Sequence, residues 1–350
     1  MNQASENLMA EHFVPTNAAS SNVCIDSKVF RPLRRRRNGP GLVFLLQWGI
    51  GLALTGMLVW LALGSGWIWP AMVIHGGLLT LPAYALSHET AHGTAYRTRW
   101  LNEVILWFSS FLYMEEPLHR RYTHTNHHTY TWHQDRDSQM PFDLPMTFRI
   151  WVCEMTGLSL LRYHIVQLVS MACAQYSPMI RKVVPRDELP RLTLNARIFI
   201  LFYTIIAISI FLGHNWLLWF LVVPRLLGGP IMQYFTILQH AETAVNSLSI
   251  LDTTRSFHTN WLGRALYMNM NHHVEHHLYP NVPFFALPAL GQEVVSQIPE
   301  PDPGLWQTNL ELAAVVLRRS WGKSTRARTI RQAPQMITEG VVAPISKATM

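Results

Sequence analysis

The chain has 350 residues, 49% of them hydrophobic and 14% charged, with a formal net charge of +7. Charged residues make up about a quarter of an ordinary soluble domain, so this composition points into a membrane. Its three cysteines (Cys24, Cys153 and Cys173), without a CxxC spacing, exclude an iron–sulfur cluster or thiolate zinc site as the main chemistry.

Residues 1–38 read as a disordered, basic, cytoplasmic arm that contains Lys28, Arg31 and four arginines at 34–37, and has no apolar core of a secretory signal. Residues 41–63 are uncharged and long enough to span a bilayer, which takes about 20 residues. After the turn Gly64-Ser65-Gly66, residues 67–87 form a second span, with Trp67 and Trp69 as interfacial aromatics. With the arginine run inside the cell, this hairpin returns to the cytoplasm. Basic residues beside a span orient it, and this reading outweighs nucleic-acid binding. Residues 104–114 are too short to cross and read as a re-entrant or interfacial piece. Residues 151–175 mix apolar side chains with Glu154, Arg162 and His164, as one amphipathic surface helix would. Prolines at 141, 145, 178, 185 and 190 mark loops around it.

A second hairpin follows, with spans at 197–212 and 216–238 around Gly213-His214-Asn215. Pro224, Gly228, Gly229 and Pro230 predict a kink or break in its second helix. Arg225 within it is either functional or held by a carboxylate or by snorkelling. The predicted fold is therefore an all-α membrane protein, multi-pass in the inner membrane, with both termini cytoplasmic. Four transmembrane helices in two hairpins are joined by interfacial helices and a cytoplasmic cap. The membrane domain covers 39–295, and 296–350 is a cytoplasmic segment and tail with an amphipathic helix at 305–318.

Three histidine clusters carry the chemistry: His88 and His92 as HxxxH, then His124, His127 and His128, then His273, His276 and His277, both as HxxHH. On a helix, positions i, i+3 and i+4 share a face, so each cluster offers a fan of imidazoles, the commonest nitrogen ligands of transition metals. Eight nitrogens exceed what one ion takes and suit two ions close together. His240, directly after the fourth span, is the natural ninth. Each hairpin ends beside a cluster, which puts all of them on the cytoplasmic face. Glu89, Asp135, Asp137, Glu242 and Glu275 are placed to accept the second ring N–H of ligand histidines. His119, His133 and His272 read as neighbours of the clusters, whereas His12, His75, His164, His214 and His258 read as satisfied or surface histidines.

This series, with a hairpin before the first box and another between the second and third, resembles the membrane fatty acid desaturase and hydroxylase family over about residues 40–295. The resemblance implies a four-helix membrane domain under a cap that holds two iron ions. Those ions activate O2 and remove hydrogen from unactivated C–H bonds. Carried over residue by residue, all nine histidines match, His240 as the extra ligand. The acyl-CoA members place an asparagine four residues before that ligand; here the position is Thr236, which lacks the carboxamide that contacts one iron through water. No fused cytochrome b5 signature is present, so the electrons are expected from a separate carrier such as ferredoxin. The family implies an acyl lipid as substrate. The stretches 119–137 and 271–280 are similar to bacterial members acting in rhizobitoxine formation and rhizopine catabolism, which adds a small metabolite such as a dihydrorhizobitoxine-like amino acid. Desaturation and hydroxylation use the same ligands.

Three other classes share parts of this pattern. His88-Glu89-Thr90-Ala91-His92 satisfies the HExxH motif of a zinc protease, with Glu89 as base, but a protease has no use for six further clustered histidines. A carboxylate di-iron bundle needs ExxH motifs from partner helices; Glu89 with His92 and Glu116 with His119 have the spacing, and Pro117 disrupts the second. A metal carrier would keep its ligands inside the spans, whereas these lie at helix ends.

Overall fold

The structure, a computed structural model, describes residues 21, 23–140, 142 and 144–322. Most of the expected N-terminal arm, His12, Pro141 and the tail beyond 322 lie outside the described residues. Among those described the fold is all-helical, with no strand beyond an isolated bridge between Phe257 and Asp302.

The arm expected to be disordered to residue 38 is instead built from residue 23 onward. Asp26 caps helix α1 (Ser27–Leu33) by accepting from the Lys28 N–H, 2.7 Å. Phe30 packs on Tyr279 with ring centroids 4.8 Å apart, and Cys24 exchanges two backbone hydrogen bonds with the Gln297 side chain. Few apolar residues, Val23, Ile25, Phe30 and Leu33, make this contact. They are too sparse to stand out as a periodic signal.

Four helices are long and apolar enough to cross a membrane: α2 (Gly39–Ala62), α3 (Ile68–Ala91), α9 (Leu189–Phe211) and the segment Leu218–Gln239. They divide into an outer and an inner pair. The most apolar window is 17% buried in α2 and in α9, but 67% buried in α3 and 50% in the last segment. On α2 the buried residues Gly41, Phe44, Trp48, Val59 and Ala62 form one stripe at helical spacing, and Leu46, Leu54 and Leu61 point outward. Such outward apolar surface is stable against lipid.

Helix α3 is the hub. It packs on α2, on α4 (Arg99–Tyr113) and on the fourth span. Gly76 and Gly228 meet there backbone to backbone: a Cβ on Gly76 would lie 2.0 Å from the Pro224 carbonyl oxygen. Small residues at a crossing allow this approach inside a membrane. The fourth span is broken as its prolines and glycines predict, into a π-helical turn at Leu218–Val222, α10 (Val223–Leu227), α11 (Gly229–Thr236) and a 3-10 turn at Ile237–Gln239. His75 compensates one freed carbonyl: its Nε2–H donates to Phe220 O at 3.1 Å, and its Nδ1 accepts from the Thr55 hydroxyl at 2.7 Å. Arg225 neither pairs with a carboxylate nor snorkels. It donates from Nε to Leu112 O and from Nη2 to Tyr113 O, at 3.0 and 3.1 Å, satisfying open carbonyls at the end of α4.

Helix α5 (Pro117–Thr129) starts at the Glu116 cap, whose carboxylate accepts from His119 N–H. The single amphipathic helix expected at 151–175 is two, α6 (Phe148–Met155) and α7 (Leu158–Ala172). Gly157 separates them with φ 70, and a Cβ there would sit 3.0 Å from Gly229 Cα, so the chain turns where it touches α11. Helix α8 (Pro178–Val183) leads into α9, which starts eight residues before the predicted 197. The short helices α12 (Ile250–Thr253), α13 (Trp261–Leu266) and α14 (His273–Leu278) build the cap, together with α15 (Leu287–Val294). Helix α16 (Leu305–Ser320) closes it, with Asn309 Nδ2 donating to Tyr234 O and the Arg319 guanidinium paired with Glu242.

Candidate metal centre

The first box sits on the last turn of α3, because the helix runs to Ala91, four residues beyond the predicted end of its span. His88 and His92 are one turn apart, and their rings meet at 5.1 Å between centroids. The second box lies on α5 and the third on α14, where i, i+3 and i+4 turn three rings to one side. His240 follows the 3-10 turn that ends the fourth span. All nine histidines named from the sequence come together.

They divide into two sets. His88, His92, His124, His128 and His276 each offer a ring nitrogen, and these nitrogens lie within 4.8 Å of one another. His127, His240 and His277 form the second set by the same measure. His273 adjoins it, with Nε2 3.1 Å from Nε2 of both His240 and His277. His128 and His277 stack at 4.0 Å and join the sets.

Protonation follows from what surrounds each ring. His127 Nδ1 lies 2.8 Å from the Asp137 carboxylate, His240 Nδ1 2.8 Å from Thr253 O, and His124 Nδ1 2.9 Å from Gln139 Oε1. Each partner is an acceptor, so each Nδ1 carries the hydrogen, and in a neutral ring Nε2 is a lone pair. Burial pushes His240 down to about 3, with His127 beside it adding to the effect. Burial likewise pushes His276 to about 3 and holds His92, His124 and His128 well below the usual histidine range. These five rings are therefore neutral, the form that binds metal. Asp137 moves the other way. Burial would raise it, but His127 and the N–H groups of Gln139 and Trp132 keep it below the usual carboxylate range.

The donor set fits metal ions. His127 Nε2 faces His240 Nε2 at 3.2 Å, and each ring turns its Nδ1 away to an acceptor, so both Nε2 atoms are left to a shared ion. Nitrogens bound to one ion at about 2.0–2.1 Å stand about 3 Å apart. His88 and His276 have no hydrogen-bond partner on either ring nitrogen, and His92 has none on Nε2, all of them buried atoms. Unpaired buried polar atoms are costly in a folded protein, and a metal accounts for one nitrogen of each ring.

Residues 76–309 match the fatty acid desaturase family. The chain belongs to that family. It is thereby an oxidoreductase of the membrane desaturase and hydroxylase kind, and its histidine clusters agree with the iron binding of such enzymes. A comparison with curated proteins found no match.

Within this family frame, the acidic residues named from the sequence divide. Asp137 holds a box ring as expected. Glu89 instead accepts from Thr94 Oγ1 at 2.6 Å and from Phe284 N–H at 3.0 Å, which leaves it no role as the base of an HExxH protease. Glu275 accepts from Ser256 Oγ and is paired with His272, Glu242 is paired with Arg319, and Asp135 is exposed. Of the flanking histidines, His119 stands off the cluster against Glu115 at 2.9 Å. Sequence reasoning missed Gln139, Thr131, whose hydroxyl meets His277 Nδ1 at 3.1 Å, and the Thr253 carbonyl. A backbone carbonyl has no sequence signal at all, and a lone Gln or Thr in a polar loop has none above background.

Proposed function

We propose that this chain is an O2-dependent desaturase that holds two iron ions on its nine histidines. It removes two hydrogens from an unactivated C–C bond of an acyl lipid or a specialised small metabolite, with electrons from a separate carrier such as ferredoxin. The observation that carries the reading is the convergence of Nε2 of His127 and His240 at 3.2 Å, with the rings anchored from behind by Asp137 and by Thr253 O. Iron bound there supplies the reduction of O2 that makes C–H cleavage possible. The protein does the rest. Asp137, Gln139, Thr131 and the Thr253 carbonyl fix ring orientation and tautomer. The buried walls exclude water, which would quench a reactive oxidant.

The enzyme sits in the inner membrane with both termini in the cytoplasm, as the arginine run at 34–37 and the two hairpins support. In a background freed of Cys24, Cys153 and Cys173, single cysteines at 64–66 or 213–215 are expected to label from the periplasm. Labelling of positions beside the boxes from that side overturns the topology.

The decisive experiment is purification with metal analysis, followed by turnover with a ferredoxin system. Two irons per chain and a product lacking two hydrogens are expected. A product that gains one oxygen atom assigns hydroxylation on the same ligands, and a single zinc per chain ends the proposal.

A further inference from the structure

A partly enclosed cavity of about 160 Å³ borders both histidine sets, with His124 from one and His127, His240 and the adjoining His273 from the other. It lies among the ends of α3 and α4, the start of α5, the loop at 138–142, and α6 and α7. Arg120 lines it and is 3% exposed. Its guanidinium reaches Glu115 from Nη1 at 3.5 Å, hydrogen-bonds the Tyr84 hydroxyl, and lies over the Tyr84 and Tyr113 rings at 5.1 and 5.6 Å. Nε and Nη2 meet no hydrogen-bond acceptor, although both are buried. An arginine serving only to brace the fold has no reason to leave two charged donors unmet, a state that costs more than burial of a neutral group.

Glu115 is the single close counter-ion of Arg120, and its carboxylate is already shared with His119 Nδ1. Arg225 adds a second buried cation next to Tyr113, while Glu154, which also lines the cavity, is hydrogen-bonded by Gln233. His164 also faces the cavity with Nδ1 unpartnered. Pockets for drug-sized ligands measure about 300–1,000 Å³, so this one is small.

We propose that this cavity takes a compact substrate bearing a carboxylate, bound by Nε–H and Nη2–H of Arg120, with the carbon to be oxidised turned toward His124, His127 and His240. The proposal rests on the di-iron reading of those histidines. The competing occupant is a long acyl chain in the open groove of about 1,090 Å³ between α4, α5 and α9, lined by Trp107, Phe111 and Phe202. That groove reaches His92 and none of the other eight histidines, so a chain lying in it passes beside the centre instead of ending in it.

The test is equilibrium dialysis of the purified full chain, with iron content measured on the same samples. The probes are radiolabelled butanoate, hexanoate, octanoate and norleucine, hexanol and methyl hexanoate as uncharged controls, and vesicles of palmitoyl phosphatidylcholine. At least one carboxylate is expected to bind saturably and about tenfold to a hundredfold more tightly than the uncharged controls, the range of a charge-assisted hydrogen-bonded pair. Arg120→Gln is expected to remove that difference, Arg120→Lys to restore part of it, and Arg121→Gln, at a side chain paired with Glu103 outside the cavity, to leave it intact. Should Arg120→Gln fail to fold, the discrimination between carboxylate and ester in the unaltered chain still decides. Two irons per chain with no carboxylate bound, or with vesicle lipid alone bound, overturns the proposal and leaves the metal reading standing. Carboxylate bound to a chain that takes no iron overturns the metal reading and reduces the cavity to an anion site.

Discussion

The two histidine sets differ in what stands behind the rings. In the set of His127, His240 and His277, with His273 beside it, four Nδ1 atoms have outer partners: the Asp137 carboxylate, the Thr253 carbonyl, the Thr131 hydroxyl and, at His273, the Gln239 amide. In the set of His88, His92, His124, His128 and His276, His124 leans on Gln139, while His88 and His276 have no hydrogen bond at all. One set has its rings oriented by hydrogen bonds from behind, and the other is packed into place mainly by helix geometry. Within one chain, the same residue type is positioned by two different physical means.

The harshest way to break this contrast is to delete a ring on each side. His240→Ala is expected to empty the hydrogen-bonded set and His88→Ala the other. Each leaves about one iron per chain and lowers turnover by about a thousandfold or more, since several kcal/mol of metal-borne stabilisation are lost. Iron content and product yield check this, and two irons retained by either variant would refute its assignment.

Glu116 offers the next largest effect and should strike both sets alike, because it caps the α5 helix that feeds rings to each. Burial raises its carboxyl to about 7, against the lowering pull of the His119 N–H and Asn195. The folded chain then holds a proton that the unfolded chain has already lost above about pH 4.3. Stability is full below that pH and falls as pH rises toward 7, by up to about 3 kcal/mol. Glu116→Gln is expected to flatten this part of the profile, read as melting temperature between pH 5 and 8 in detergent. An unchanged slope contradicts the assignment.

Asp137→Asn sharpens the comparison more finely. It keeps the shape but weakens the acceptor for His127, and outer partners of metal ligands are worth about 10- to 100-fold in affinity. Competition with a chelator is expected to strip iron from that set first, whereas Gln139→Leu, behind one ring of five, has a smaller effect. The mildest perturbation is Arg319→Ala, which removes a partly exposed pair with Glu242, two residues past His240. A cost of about 1 kcal/mol or less is expected, seen as a small drop in melting temperature with iron content unchanged.

Much of this architecture was legible in the chain. The boxes could be read because i, i+3 and i+4 spacing is a local property of helices, and the spans because a bilayer demands long apolar runs. The break in the fourth span was visible in Pro224, Gly228, Gly229 and Pro230. What stayed hidden depends on distant partners. Nothing near Arg225 announces that it meets the end of α4, more than a hundred residues earlier. Nothing near Glu89 shows that the Phe284 N–H will claim its carboxylate, and nothing near Gly157 shows that Gly229 will press against it. The ordering of Ser27–Leu33 escaped for the same reason, since its few apolar residues acquire meaning only against Tyr279.

Arg225 has one more consequence. Its guanidinium ties the C-terminal carbonyls of α4, just ahead of the segment that becomes the second box, to the span that ends at His240. Two stretches far apart in the chain, one leading to His127 and the other to His240, are therefore joined by the two hydrogen bonds of a single side chain.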